Sequence, residues 1–171
     1  NTSALYPGYA PKPVLDRAPG YYGGSVSVSA NASSGEVHWT FTGRDPDQGS
    51  PIASSPVEFT SPTVVLARTY RDGWLPSDVV TATYLIGVHH ELPVVSLSVD
   101  PDSMFNEDLG LYMLGPNADP EYPHYGANFW SERSLPVHFE FFEPNGVRGF
   151  VQQVDVKMHG GRRSRNNPQR P

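Results

Sequence analysis

The stretch 63–86, TVVLARTYRDGWLPSDVVTATYLI, decides the fold class. Two runs within it, 63–70 and 79–86, are rich in β-branched and aromatic residues, and each has the length of a strand rather than of a helix. Between these runs, Asp72-Gly73 is a dipeptide that favours a tight chain reversal. The stretch therefore predicts two antiparallel strands with a turn in their connection.

The same alternation continues towards the amino terminus. Residues 25–29, SVSVS, alternate strictly. In residues 37–42, VHWTFT, the apolar side chains Val37, Trp39 and Phe41 share one face and the polar ones the other, as in a half-buried strand. Since the chain also contains 18 prolines and 16 glycines and no apolar pattern of helical period, we predict an all-β protein.

This pattern predicts three segments. Residues 1–24 form an extended lead-in rich in Pro and Tyr, residues 25–88 form an Ig-like antiparallel β-sandwich, and residues 89–171 form a second, incomplete β-rich module. In the last segment, residues 94–99 predict a strand with Leu97 and Val99 on its buried face. After it we expect one helical turn capped by Asp102 or Ser103, and a brief strand at 111–115, LYMLG.

Residues 135–160 carry the clearest hairpin pattern of the chain. The turn is Glu143-Pro144-Asn145-Gly146. The residues predicted to share the core face of the outgoing strand are Leu135, Val137, Phe139 and Phe141. Those predicted to line it on the returning strand are Val154, Val156 and Met158.

Charge is unevenly distributed along the chain. The formal net charge is −6, yet residues 157–171 hold five cations and no carboxylate. The other 156 residues hold seven cations and 18 anions, a net charge of −11. A nucleic-acid-binding protein spreads positive charge over a docking face, so we expect no nucleic-acid partner.

Other features bound the class of protein. The chain has no cysteine, which excludes a disulfide framework and a thiolate zinc site. No apolar run approaches the roughly 20 residues that span a bilayer, so no membrane span is expected. The first residue is Asn1 and no signal-like segment precedes it, which is typical of a processed chain or a piece of a longer one.

The first module carries a recognisable series of motifs. In order they are HWTFTGRDP, SSPVEF, VVLARTYRDGWLPSD and TATYLI, with Thr42-Gly43 where the pattern has Asp-Gly. Residues 14–86 thereby resemble the Ig-like C-terminal repeat of chitobiases and hexosaminidases. That resemblance implies a non-catalytic spacer or accessory domain of an exported bacterial protein.

The second module carries Leu92-Pro93, Asp100-Pro101 and Gly110-Leu111-Tyr112, followed by NFW at 128–130 and HGGRRSRNNPQRP at 159–171. Residues 92–171 thereby resemble the N-terminal part of CotH-type proteins, a spore-coat kinase-like family of exported and surface proteins. In that family the glycine pair precedes a Lys-Ser pair that contacts nucleotide phosphate. Arg170-Pro171 stands about there in this chain. The resemblance implies that ATP and Mg²⁺ bind only with a lobe that follows residue 171.

The basic end supplies the phosphate-binding candidates. Glycine pairs let backbone amides approach an anion, and arginines offer forked donors to phosphate. The candidates are Gly160, Gly161, Arg162, Arg163 and Arg165. The alternative is that one arginine pairs with a carboxylate at the edge of the core while the others are solvated.

Metal and sugar sites are less well indicated. Oxygen ligands for calcium are offered by Asp100, Asp102, Asn106 and Asp108. Their spacing does not fit an EF-hand loop, and helix capping explains these residues equally well.

His89-His90 is interpreted as a linker pair, because adjacent strand residues point to opposite faces. Trp74 is the surface candidate for sugar stacking, since Trp39 fits a core position. Glu140 and Glu143 are interpreted as hairpin-edge residues without a partner.

Two functional hypotheses remain. In the first, the chain is a non-catalytic structural or adhesive part of an exported bacterial surface protein, and it assembles with neighbouring copies or with the downstream part of its own parent chain. In the second, it is the N-terminal fragment of a CotH-type kinase whose nucleotide site needs the downstream lobe. We expect an extracellular or cell-surface location, no catalytic residue in the fragment itself, and carbohydrate as an alternative partner.

Overall fold

The computed structural model describes residues 6–166, except for the side chains of Arg162 and Arg163. Its elements are mostly strands, which confirms the all-β prediction. The strands are β1 (Val14–Leu15), β2 (Gly20–Tyr22), β3 (Val26–Val28), β4 (Ala30–Asn31), β5 (Glu36–Thr40), β6 (Val57–Phe59), β7 (Thr63–Tyr70), β8 (Val80–Ile86), β9 (Val94–Ser98), β10 (Ser134–Phe142) and β11 (Arg148–Lys157). Two helices of four or five residues, α1 (Pro101–Phe105) and α2 (Arg162–Arg165), and a 3₁₀ turn, Asn128–Trp130, complete the described elements.

The chain divides into two compact units. Among the described residues, the first unit contains 6–96 and 139–152, and the second contains 97–138 and 153–166. The units are discontinuous in sequence, because the tip of the hairpin belongs with the first.

The first unit is a sandwich built on a four-stranded sheet of order β2-β8-β7-β5. Strands β7 and β8 are antiparallel, as predicted, and strand β2 pairs with β8 in parallel, Gly20 opposite Tyr84. The antiparallel pairs β1-β4 and β3-β6 supply the other layer. The core between them is apolar and aromatic, and contains Val28, Trp39, Phe59, Val65, Ala82 and Tyr84.

Strand β5 differs from the prediction in two respects. The strand ends at Thr40, so Phe41 lies on the rim of the core, 38% exposed, against the rings of Trp39 and Phe59. His38, predicted on the open face, is buried: its Nδ1 donates to the carbonyl of Ser50 at 2.8 Å. The bridge between His38 and Ile52 brings the following loop over that face.

Strand β9 buries the opposite face from the one predicted. Leu97 is exposed, whereas Ser98 is buried, so the prediction for Leu97 was wrong. Ser96 on the same face shares a hydrogen bond of 2.8 Å with Thr83 of β8, whereas the buried Ser98 hydroxyl has no partner among the described residues. Alternation of Ser with apolar residues did not reveal which face was covered.

The hairpin of β10 and β11 is confirmed, and so is its turn. Gly146 donates to the Glu143 carbonyl at 2.8 Å and has a φ of 82°, which favours glycine. Leu135 and Val137 are buried as predicted. The returning strand also behaves as predicted, with Val154 and Val156 half-buried and Met158 buried.

The prediction for Phe139 and Phe141 was wrong, because the buried positions of β10 change parity. After Val137 the fully buried side chains are Glu140 and Phe142, and the two phenylalanines lie on the more exposed side. The run FEFF has an aromatic residue at both parities, so its pattern could not indicate the buried face.

The second unit has a small core around Leu111, Phe129, Leu135 and Met158. Helix α1 is the predicted helical turn, but its cap is Asp100, which accepts from the Asp102 N–H at 3.0 Å. Pro101 occupies the first helical position and fixes this earlier start. The predicted strand at 111–115 is wrong: Leu111 and Tyr112 donate to the carbonyls of Ser103 and Met104, and the segment is a turn.

Candidate functional site

A buried charge network lies in the first unit, on the face of the four-stranded sheet that carries Thr81 and Thr83. The Glu140 side chain, on β10, is 1% exposed. Its Oε1 accepts from Arg148 Nη1 at 2.8 Å, and its Oε2 accepts from the Thr83 hydroxyl. Because Thr83 donates to Glu140, the Ser96 hydroxyl donates to Thr83 at 2.8 Å. Both carboxylate oxygens are therefore satisfied.

Arg148 is held on a second side as well. Its Nη1 also donates to the carbonyl of Thr81 at 2.9 Å, while the side chain as a whole remains 27% exposed. A guanidinium held at one nitrogen by two acceptors is oriented by the fold.

Sequence reasoning missed this network. Glu140 was interpreted as an edge residue without a partner, and the structure shows it buried against Arg148. A signal was present in the sequence: one carboxylate lies inside the aromatic run 139–142, and an arginine follows the turn on the returning strand. A charge in such a run needs a partner, since burying it alone is very costly.

A pocket of about 520 Å³, the Arg148 pocket, opens beside this network. It is lined by residues 18–22 and 145–148, all within the first unit. Tyr21 lies in this lining, and the rings of His89 and His90 lie 6.2 and 6.1 Å from its ring. The adjacent histidines thus contact a tyrosine, and no metal-holding geometry involves them in the described chain.

The hairpin also presents an aromatic row made of Phe139, Phe141 and Phe150. The Phe150 ring lies within 9° and 10° of parallel to the other two, with centroids 5.5 and 5.3 Å away. Phe150 is 50% exposed. The Phe141 ring lies close over the backbone of Gly149, which has no side chain. A Cβ at this position would lie only 3.3 Å from the ring.

The second unit has a larger pocket, the His124 pocket, of about 790 Å³. Its charged lining comprises Glu107, Asp108 and His124. His124 Nδ1 donates to the Asp119 carbonyl at 2.9 Å, which fixes the orientation of the ring. His124 also has a φ of 59°, in the left-handed region that is uncommon for residues other than glycine.

The phosphate-binding candidates are placed in part. Gly160 and Gly161 precede the four-residue helix α2, and the side chains of Arg162 and Arg163 lie outside what is described. Arg165 is buried: it donates to Glu132 at 3.0 Å and to the Trp130 carbonyl at 3.1 Å. Its geometry is that of an arginine paired with a carboxylate at the edge of the core, so it does not favour the kinase hypothesis.

Two cations of the second unit lower the pKa of the Glu132 carboxylate. The hydrogen bond from Arg165 and its positive charge, followed by the charge of Lys157 at 3.6 Å, hold the pKa of Glu132 below its ordinary value. An exposed carboxylate is thus kept ionised by two cations of its own unit.

The calcium candidates serve the local backbone. Asp100 caps α1, and Asn106 Oδ1 accepts from the N–H groups of Asp108 and Leu109, both at 3.0 Å. Within residues 6–166 no three His, Asp or Glu side chains are grouped closely enough to hold a metal ion. The calcium hypothesis stays a prediction without structural support.

The tryptophans take three different positions. Trp39 is in the core, as predicted. Trp74 is half-buried beneath the Arg71 guanidinium, 4.2 Å from its ring centroid. Trp130 donates from Nε1 to the Pro123 carbonyl at 3.0 Å and packs on the second core. The ring proposed for sugar stacking, Trp74, is therefore covered by a cation on one side.

Comparison with protein-family models, with curated proteins and with solved structures found no match to this chain. The resemblances of residues 14–86 and 92–171 therefore stay predictions. Within the described range, no helix has the length and apolar character needed to cross a membrane.

Proposed function

We propose that this chain is a non-catalytic structural and adhesive part of an exported bacterial surface protein, and that it assembles with copies of itself through strand β11. The observation that carries the proposal is a ten-residue strand that, among the described residues, has a neighbour on one side only. A strand edge exposes unpaired backbone N–H and C=O groups, which pair readily with another strand.

The side chains of β11 favour pairing rather than protection. Edge strands are usually protected by charged residues or proline. Residues 149–154, GFVQQV, contain neither, and Phe150 and Val151 are exposed. A short uncharged run with β-branched and aromatic residues is typical of strands that associate with identical strands.

A second copy of the chain is the occupant that fits best. Two copies of the run contribute no charge to the contact, so no carboxylate or ammonium has to lose its hydration when they pair. The aromatic row also extends onto Phe150 of this strand, so pairing there covers apolar surface together with the backbone edge.

Composition and motifs support the proposed location. The chain holds two lysines and many Ser, Thr, Tyr and Asn residues, a composition common among exported proteins. The resemblances to the chitobiase-type repeat and to the CotH-type N-terminal part indicate the same setting. We propose an extracellular or cell-surface location on these grounds.

The experiment is light scattering after size-exclusion chromatography, over a range of roughly 1–100 µM protein. We expect dimers or larger species of the unchanged chain at micromolar concentration. Val151→Lys places a charge in the edge strand and should raise the dissociation constant about tenfold or more. Val147→Lys, which introduces the same charge at an exposed turn residue outside the strand, is the control and should leave association unchanged. A monomer throughout this range, or equal effects of the two variants, would show the proposal to be wrong.

A further inference from the structure

The Arg148 pocket contains hydrogen-bond donors that the fold does not use. Both N–H groups of Arg148 Nη1 are taken by Glu140 and Thr81. Its Nε and Nη2 have no acceptor among the described residues, although the side chain lines the pocket. Three N–H groups of a guanidinium whose plane is fixed by its partners therefore remain for a ligand.

The pocket lining also contains the rings of Tyr21 and Tyr22. The Tyr21 hydroxyl is buried and has no hydrogen-bond partner in the described chain, so a ligand in the pocket meets the ring and not the oxygen. The Tyr22 hydroxyl is used by the fold, because it donates to the Ala18 carbonyl at 2.7 Å.

The two lining segments of the pocket lie in close contact with each other. A Cβ at Gly20 would lie 2.4 Å from the Gly146 carbonyl oxygen, and a Cβ at Gly146 would lie 2.2 Å from the Tyr21 ring. Only glycine permits this approach. The volume of about 520 Å³ lies in the range of about 300–1,000 Å³ that is typical of small-molecule sites.

The charge of the pocket selects the class of ligand. Glu140 neutralises Arg148, so the site presents directed donors without a net positive charge. A carboxylate or phosphate ligand would bring a second negative charge close to the buried Glu140 carboxylate. An uncharged ligand with many hydroxyl acceptors avoids this repulsion.

We infer that the Arg148 pocket binds a neutral saccharide. Sugar hydroxyl oxygens accept from Nε and Nη2 of Arg148. The rings of Tyr21 and Tyr22 supply apolar surface for the C–H groups of the sugar. The proposed ligand site uses side-chain donors of Arg148, whereas association uses the backbone groups at the edge of β11. The inference therefore does not rest on self-assembly.

The test is calorimetric titration of the full chain with neutral oligosaccharides: β- and α-linked glucans, xylan, mannan and chitin hexamers. We expect saturable binding of at least one of them below about 1 mM. An oligogalacturonate hexamer, which adds carboxylates, should bind about tenfold more weakly or not at all.

Two variants remove the proposed contacts one at a time. Arg148→Lys leaves an ammonium that pairs with Glu140 but lacks the forked donors, and it should weaken binding about tenfold or more. Tyr21→Leu removes the aromatic ring from the pocket lining, so it should weaken binding several-fold even if Arg148→Lys fails to fold. The matched controls are Arg71→Lys and Tyr9→Leu, both outside the pocket, and they should bind as the unchanged chain does.

Three results would overturn the inference. The first is no saturable binding to any neutral oligosaccharide of the panel. The second is tighter binding of the galacturonate, with an affinity that falls as salt rises. The third is loss of affinity in the controls equal to that in the pocket variants. None of these results bears on association through β11, which light scattering tests separately.

Discussion

Each of the two compact units contains an arginine–carboxylate pair. In the first unit the carboxylate is the buried partner, and in the second unit the arginine is. In the first unit the Glu140 carboxylate is 1% exposed and the Arg148 side chain 27%. In the second unit the Glu132 carboxylate is 70% exposed and the Arg165 side chain 10%. The distances from guanidinium nitrogen to carboxylate oxygen, 2.8 and 3.0 Å, are nearly the same in the two pairs.

The difference lies in which charge has left water. A buried carboxylate depends on its partner, because removal of the partner leaves an uncompensated charge in the interior. An exposed carboxylate is hydrated whether or not its partner is present. Glu140 therefore needs Arg148, whereas Glu132 does not need Arg165, and loss of the arginine should cost more in the first unit.

The largest effect is expected from Arg148→Met, which leaves Glu140 buried and unpaired. We expect the first unit to lose about 3–5 kcal/mol of unfolding free energy. Hydrogen exchange at the amides of β8, followed by mass spectrometry, reports on this unit.

Adding Glu140→Gln to this variant supplies the control. The side-chain amide oxygen introduced by this second substitution still accepts from Thr83, and no charge is buried, so at least half of the lost stability should return. If the double variant is no more stable than Arg148→Met, the cost does not come from the unpaired carboxylate.

A smaller effect is expected from Arg165→Met. The variant loses hydrogen bonds to Glu132 and to the Trp130 carbonyl, and the stem packing near the Trp130 ring, 5.9 Å from the guanidinium, is partly kept by methionine. We expect a loss of about 1–2 kcal/mol in the second unit. Exchange protection at residues 128–130 measures it.

Lys157→Met is the matched control, because its ammonium also contacts Glu132, at 3.6 Å, but both side chains are exposed. Its effect should be within about 0.5 kcal/mol of zero. A cost for Arg165→Met that equals or exceeds that of Arg148→Met would break the comparison between the two pairs.

The sequence predicted the regular parts of this fold because their patterns were local. The run 63–70 is strand β7 to the residue, and the EPNG turn forms where its Pro and Gly place it. Periodicity could not tell which face of β9 or of the second half of β10 is buried. That choice depends on Thr83 and Arg148, which lie on other strands and form hydrogen bonds with Ser96 and Glu140.

Prediction of the candidate site was less successful, for a related reason. Clustered charges, such as the arginines of 162–165, are what the sequence makes visible, whereas the buried pair is formed by single charges eight positions apart on a hairpin. The part played by Tyr21 gives no sequence signal, because its place in the pocket lining is a property of packing alone. The arginine that is described in the basic end, Arg165, is used by the fold.

The smallest effect concerns Glu132 and its dependence on pH. Since hydrogen bonding and charge from Arg165, and then the charge of Lys157, lower the pKa of Glu132 in the folded state, its ionised form stabilises the fold above the pKa of the unfolded chain. That contribution is lost as the pH falls through the lower, folded-state pKa. Glu132→Gln should therefore be less stable than the unchanged chain at neutral pH, and the difference should disappear in acid.

Exchange protection of the second unit between about pH 7 and pH 3, with Glu107→Gln as an exposed carboxylate control, measures this difference in stability. A stability difference that stayed constant down to about pH 3 would mean that Glu132 acts through its shape or its hydrogen bonds and not through its charge. The second pair would then make no electrostatic contribution to stability, and the comparison of the two pairs as charge pairs would fail.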